Sequence, residues 1–341
     1  MARLSLLSLA LVVHAAGSPA LQSPDPVVAT TERFELRSDP RTALHHFLID
    51  WASADAGQWP PYALQIAERE GWRSVIGADE QETWSTAVEA YATTVDRSLL
   101  FDEGLLATRA WAAGAGPRAE IPAADQPLAD ALEAARPIYE RYWWPAHDQH
   151  NRAWIESVAG RLAALEGEMI RRFEAAYGGT WPGEPIPVDV MVYANDVGAY
   201  STAGRLTISS VPLGNQMPHA IEMVFHESSH TDPMEQPLRA AVQRAFQAAG
   251  VPEPERFWHD VIFYTSGEIT RLVLAAHGEP GYEHYGALGV YVRGERWATE
   301  LPAFEQHWRP FLESRSNDDA ARRAALEALA GALRPRNGLR R

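Results

Sequence analysis

The chain contains no cysteine and no lysine. Without cysteine, its stability does not rest on disulfides, and the residue that carries a lipoprotein anchor is missing. Its 30 basic residues are all arginine and stand against 45 Asp and Glu, a formal charge of −15 at pH 7. That balance argues against nucleic acid, and against an anionic membrane surface, as the main partner. No fixed-period repeat is visible, and the biased stretches are Ala-rich segments. No apolar run is long enough for a stable membrane anchor: Leu4 to Val13 offers about ten residues, half of what a bilayer requires. Behind Met1-Ala2-Arg3 and ahead of the small residues Ala15 to Ala20, that run reads instead as a signal peptide over 1–20. Cleavage is expected between Ala16 and Leu21, with export to a bacterial periplasm or to the medium.

What is present describes a packed protein. A hydrophobic content of 46% with 10% aromatic residues is that of a globule. Ser38-Asp39-Pro40 starts a helix whose face is Leu44, Phe47, Leu48 and Trp51. Trp84, Ala87, Val88 and Tyr91 mark a second helix, and Leu128 to Tyr142 a third, after a Gly/Pro/Ala-rich loop from Ala112 to Pro127. These make residues 21–150 an amino-terminal helical region. From 151 to 315 the pattern is mixed. Ile155, Val158, Leu162, Leu165, Met169, Phe173 and Tyr177 recur at helical spacing and stop at Gly178-Gly179. Strands follow at Val188 to Tyr193 and, after Ala203-Gly204, at Arg205 to Val211. Pro218 opens a helix with Ile221, Val224 and Phe225 on its apolar side and a stop near Pro233, and Arg256 to His277 reads as a long helix. Residues 316–341 give a last helix, Asp318 to Leu333, and a basic tail, Arg334 to Arg341. The fold class is α+β and predominantly helical.

The helix after Pro218 carries His226-Glu227-Ser228-Ser229-His230. In a helix the two histidines lie about 40° apart around the axis and roughly 6 Å apart along it, so both rings can reach one tetrahedral cation. Glu227 sits about 100° round from His226, beside the ion, where a carboxylate can take a proton from a water and pass it to a leaving group. Zinc used catalytically needs a third protein ligand and an open position. Glu268 and His259 are the candidates on the next helix. They differ by nine positions, close to 180° around the axis, so only one is expected to face the ion. Glu268 is favoured because Gly267 precedes it, and a glycine inside a helix suggests close approach of a neighbour, here the first helix. His259 would then serve as a hydrogen-bond donor near the reacting group.

The pentapeptide with a downstream glutamate resembles the gluzincins, a superfamily of zinc metallopeptidases, over about a third of the chain. The spacing from His230 to Glu268 is longer than in the thermolysin-like group, and no N-E-x-x-x-D sequence surrounds Glu268. Gly and His do not follow His230 as a metzincin requires. The resemblance implies a zincin-like catalytic domain in which His226, His230 and Glu268 bind Zn2+ and Glu227 is the general base, acting on a peptide or protein. It also implies that the strand nearest the zinc helix rims the cleft and pairs with an extended peptide, for which Leu206 to Ser210 is the candidate. A zinc hydrolase of non-peptide substrates, or a binding protein with a degenerate site, is the alternative.

For the developing oxyanion, Tyr264, one turn before Glu268, is the first candidate donor, with Tyr282, Tyr285, Tyr291, His259 and His284 behind it. Arg271 can orient Glu268 or bind a substrate carboxyl group, and Asp232 or Asp260 can hold the outer nitrogens of the histidines. His45 and His46 read as core or surface imidazoles, and His147 and His150 lack a nearby third donor. His219 lies about 10.5 Å from His226 along the axis, too far to share its ion.

Overall fold

The computed structural model describes residues 25–58, 63–194 and 198–334. The signal peptide expected at 1–20 and nearly all of the basic tail lie outside those residues. Among the described residues, no helix is long and apolar enough to cross a membrane.

The Asp39 carboxylate accepts from the Thr42 N–H at 2.8 Å, and Pro40 occupies the first turn, so α1 runs Pro40–Asp55. Its face of Leu44, Phe47, Leu48 and Trp51 is buried, as expected. α2 (Ala63–Val75), α3 (Gln81–Ala92), α4 (Glu103–Ala112) and α5 (Gln126–Tyr142) follow. Phe47, Trp84, Tyr139 and Trp143 join these helices in one aromatic core, with Trp84 and Trp143 only 4.5 Å apart between ring centroids.

α6 (Trp144–Tyr177) buries the whole stripe from Ile155 to Tyr177 and ends where Gly178 takes a left-handed conformation, φ +69. It starts before residue 151, so the division expected there falls inside a continuous helix. The sheet also ignores that division. β1 (Val27–Thr30), β2 (Phe34–Arg37), β3 (Ile186–Met191), β4 (Ala199–Thr202) and β5 (Arg205–Ser209) form one sheet in the order β1-β2-β3-β5-β4. The β2–β3 and β3–β5 pairs are parallel, and the outer pairs are antiparallel. Two strands of the region expected to be helical therefore belong to the same sheet as β3, β4 and β5. β1, Val27-Val28-Ala29-Thr30, carries no alternation, whereas β2, Phe34-Glu35-Leu36-Arg37, alternates apolar and charged residues with the apolar ones buried, a short signal that sequence reasoning missed.

The candidate rim strand is also corrected. β5 lies between β3 and β4, and Leu206 and Ile208 are fully buried. The connection back from β4 uses two left-handed residues, Ala203 at φ +49 and Gly204 at φ +73, which makes a tight hairpin and leaves β4 outermost.

Phe34, Leu36, Val188, Val190, Leu206 and Ile208 share a core with α6 and with Ile221, Val224 and Phe225 of α7 (His219–Ser228). Phe225 stacks on Phe173 at 5.6 Å and meets Phe34 edge-on at 5.6 Å. With that side of α7 fixed in the core, its other side faces a cleft. The helix stops at Ser228, short of Pro233, and Pro233 begins a new helix: α8 (Asp232–Ala249) takes it in its first turn, where a missing N–H costs nothing. α9 (Phe257–Ala276), α10 (Val290–Arg293), α11 (Trp297–Ala303), a π-helical turn (Phe304–Trp308), α12 (Arg309–Ser314) and α13 (Asp319–Ala332) complete the chain. α13 packs along α8, with Leu326 and Leu329 buried. The architecture is thus predominantly helical with a small mixed sheet, an α+β protein.

Candidate metal centre

His226 lies in the last turn of α7, and His230 follows two residues after the helix ends. The chain keeps turning there: Ser229 N–H donates to Phe225 O at 3.1 Å, and His230 N–H to Glu227 O at 3.2 Å, a tightened final turn. This carries His230 over His226, with ring centroids 5.3 Å apart. α9 supplies the third ring. His259, in its first turn, lies 5.4 Å from His226 and stacks on His230 at 5.2 Å. One nitrogen from each ring falls within 4.8 Å of the other two. Among the described residues no other three His, Asp or Glu side chains meet so closely.

The donor chemistry suits a cation. Burial, and then the neighbouring imidazoles, hold His226 well below its ordinary value, and His259 is held down to about 3 by burial and the charges of His230, Arg256 and Arg296. Both rings are therefore neutral, with a lone pair to offer. His230 Nδ1–H donates to Glu235 Oε2 at 2.8 Å, which fixes its tautomer and leaves the Nε2 lone pair able to bind a cation. This outer carboxylate is Glu235, not either aspartate singled out from sequence. Asp260 bonds Arg296, and Asp232 is exposed. The helical pattern of α8 holds the missed signal, because Glu235 sits in its first turn directly after His230.

Glu227 is buried beside the histidines at 6% exposure. Burial raises its carboxyl above the ordinary range, with His230 and Ser201 acting in the opposite direction. Ser201 Oγ on β4 lies 2.7 Å from both Glu227 Oε2 and Glu227 O, tying the outermost strand to the end of α7.

The structure does not bring Glu268 to this group. It lies on the opposite side of α9 from His259, at 1% exposure, with Arg271 Nε donating at 2.9 Å and His284 Nε2 at 3.1 Å, and Arg309 Nε 3.4 Å away. Burial alone would raise its carboxyl, but the bonds from Arg271 and His284 outweigh that and hold it at about 2. Gly267 does mark a close approach, though not to α7. A Cβ there would meet the His284 ring at 2.5 Å, so the glycine admits the loop that carries His284. Tyr264 is likewise outside the cleft: it stacks on Phe304 at 4.8 Å and is 1% exposed, a core ring. Of the other tyrosines, Tyr282 donates to Glu222, Tyr291 pairs with His284 at 3.1 Å, and Tyr285 lines the cleft.

The cleft itself encloses about 1140 Å³. His226, Glu227, His230 and His259 line it together with β4 and its turn, residues 199–205. Leu100, Phe101, Leu106 and Ala110 border it from the amino-terminal region, so that region does close one side. Phe263, Tyr285, Val290 and Arg293 border it from the carboxyl-terminal half. Glu222, one turn before His226, accepts from Tyr282 Oη and from the Tyr285 N–H at 2.9 Å, clamping that second wall to α7. His219 adds to the clamp through Glu283 O at 3.1 Å. Three other histidines have structural partners: His46 bonds Thr42 O and Tyr200, His45 bonds Tyr91, and His147 bonds Tyr139 and Glu68.

No protein-family model matches the chain, and no match was found among curated proteins or among solved structures.

Proposed function

We propose that the chain is a zinc-dependent hydrolase of peptide bonds, exported by its amino-terminal segment. The observation that carries the reading is the convergence of three imidazoles and a buried glutamate on one side of a cleft rimmed by the outermost strand of a sheet. His226, His230 and His259 are the ligands, with His259 in the place that sequence reasoning gave to Glu268. When bound there, zinc acidifies a water and polarises a carbonyl oxygen.

The protein's own groups do the rest. Glu227, its carboxyl raised by burial, takes the proton of the attacking water and returns it to the amine that leaves. Ser201 holds that carboxylate in place. β4, the outermost strand of the sheet, borders the cleft, and an extended substrate backbone is placed along it. Tyr285, at the cleft wall, replaces Tyr264 as donor to the developing oxyanion.

Metal removal tests the reading. The purified full chain should carry stoichiometric zinc and cleave an unfolded protein substrate. Dialysis against 1,10-phenanthroline should abolish both, and added zinc should restore both. A chain that retains no zinc after purification and equilibration with it would end the proposal.

Glu235 provides a finer measurement. Glu235→Ala removes the partner of His230 Nδ1, and loss of such an outer carboxylate costs about 10–100-fold in metal affinity. Competition with a chromophoric chelator should register that loss, with the helical circular dichroism unchanged. Unaltered affinity would mean that His230 is not a ligand.

A further inference from the structure

The charge of the cleft runs against that of the chain. Asp and Glu outnumber Lys and Arg 45 to 30 in the whole sequence, but among the residues lining the cleft five are arginine and three are glutamate. The glutamates are engaged within the site, Glu222 by Tyr282 and Tyr285, Glu227 by Ser201, and Glu235 by His230. Two of the arginines are engaged as well. Arg205 pairs with the buried Asp189 at 2.7 Å, and Arg109 lies 3.7 Å from the same carboxylate.

The other three retain donors. Arg256 makes no side-chain hydrogen bond or ion pair with any described residue. Among the described residues Arg293 Nε reaches only Gly289 O, at 3.1 Å, just ahead of its own short helix. Arg239 shares Glu235 with His230, at 3.0 Å, and lies 4.6 Å over the Trp258 ring, with most of its guanidinium donors still unused. Two of these flank the imidazole group: Arg256 precedes His259 by three residues, and Arg239 follows Glu235 by one turn. Arg256 also holds a left-handed backbone, φ +57, at the start of α9. A side chain is costly in that conformation, and glycine would relieve it.

We propose that the cleft selects anionic polypeptides, whose Asp or Glu side chains beside the scissile bond are taken by Arg239, Arg256 and Arg293. The inference rests on the peptidase reading and specifies its substrate class. The overall charge of −15 makes the preference diagnostic, because the field of the whole molecule favours the opposite, a basic peptide. Only a local effect of the cleft can reverse that order. Each contact is a partly exposed ion pair of about 0.2–1 kcal/mol, so three together give about tenfold selectivity at low salt.

The test uses fluorescein-labelled peptides of one length and backbone sequence, with Glu, Gln or Lys at alternate positions. Anisotropy measures their binding to the full chain freed of metal by chelation, where nothing is cleaved. The Glu peptide should bind about tenfold more tightly than the Gln peptide, and the advantage should vanish near about 0.5 M NaCl, where screening acts over a few ångströms. The triple variant R239Q/R256Q/R293Q should lose the advantage while its thermal unfolding midpoint stays unchanged. In the zinc-loaded chain, kcat/KM should follow the same order. Equal or tighter binding of the Gln or Lys peptide overturns the inference, as does a preference that survives in the triple variant. If all three peptides are cleaved equally, the peptidase reading stands and the selectivity fails. If none is cleaved and the binding preference holds, the peptidase reading fails and the anionic selectivity stands.

Discussion

Replacing Glu227 with glutamine should leave zinc in place and lower turnover by about 10²–10⁴-fold, the range over which a positioned general base acts. The variant separates structure from chemistry because glutamine has the same shape and can still accept the Ser201 hydroxyl that holds Oε2 at 2.7 Å. Only the capacity to take a proton is lost. The fold should not weaken, since the wild-type carboxyl is already displaced upward by burial and a neutral amide avoids that cost. Zinc content by mass spectrometry and kcat/KM on one peptide provide the two readings. Activity within tenfold of wild type would remove Glu227 from its assigned role, and loss of zinc would make it a ligand.

The second large effect lies in the contrast between His259 and Glu268. His259→Ala should abolish stoichiometric zinc binding, a loss larger than the about 10–100-fold that follows removal of an outer partner. Glu268→Ala should keep its zinc and lose stability. That substitution strands Arg271 and His284, which donate to a carboxylate at 1% exposure, and breaking such a buried pair costs about 3–5 kcal/mol. Because Arg271 and Arg309 are 26% and 38% exposed, about 2–3 kcal/mol is the discounted expectation. The pH dependence has a definite sign. Glu268 sits at about 2, below the ordinary carboxyl value of 4.5, so its contribution is complete above that value and is lost as pH falls toward 2. Denaturation curves at neutral and acid pH should therefore converge for wild type and Glu268→Ala in acid. Zinc lost from Glu268→Ala and retained by His259→Ala would reverse the ligand assignment.

These two residues also mark where the sequence stopped being informative. Helical geometry correctly made His259 and Glu268 mutually exclusive, being half a turn apart, but the choice between them turned on Gly267. The physical reason for Gly267 is the ring of His284, which comes from a loop seventeen residues later, and no local pattern announces that contact. Features with local causes were legible: the Asp39-Pro40 start of α1, the apolar stripe of α6 with its Gly178 stop, and the face of α7 that holds Ile221, Val224 and Phe225. Features with distant causes were not. β4 becomes the rim through the order of strands, which pairing alone determines. Pro233 looked like the end of one helix and is the first turn of another. Glu235 was visible as a carboxylate five residues beyond His230, but its role appears only once α8 is known to start at Asp232.

The parallel pairing of β2 with β3 joins Phe34–Arg37 to Ile186–Asp189. Closing a loop of about 150 residues is entropically expensive, and a lone two-stranded ribbon such as β1–β2 is marginal in water. During synthesis, the first strands must therefore wait through the whole amino-terminal helical region before a partner emerges. β4, which joins the sheet on the far side of β5, is among the latest parts of the sheet to find its place, and a nascent chain interrupted before Ser209 has His226, His230 and His259 still unmade. The imidazole cluster, whose last member is His259, can therefore assemble only after every strand of the sheet has been synthesised.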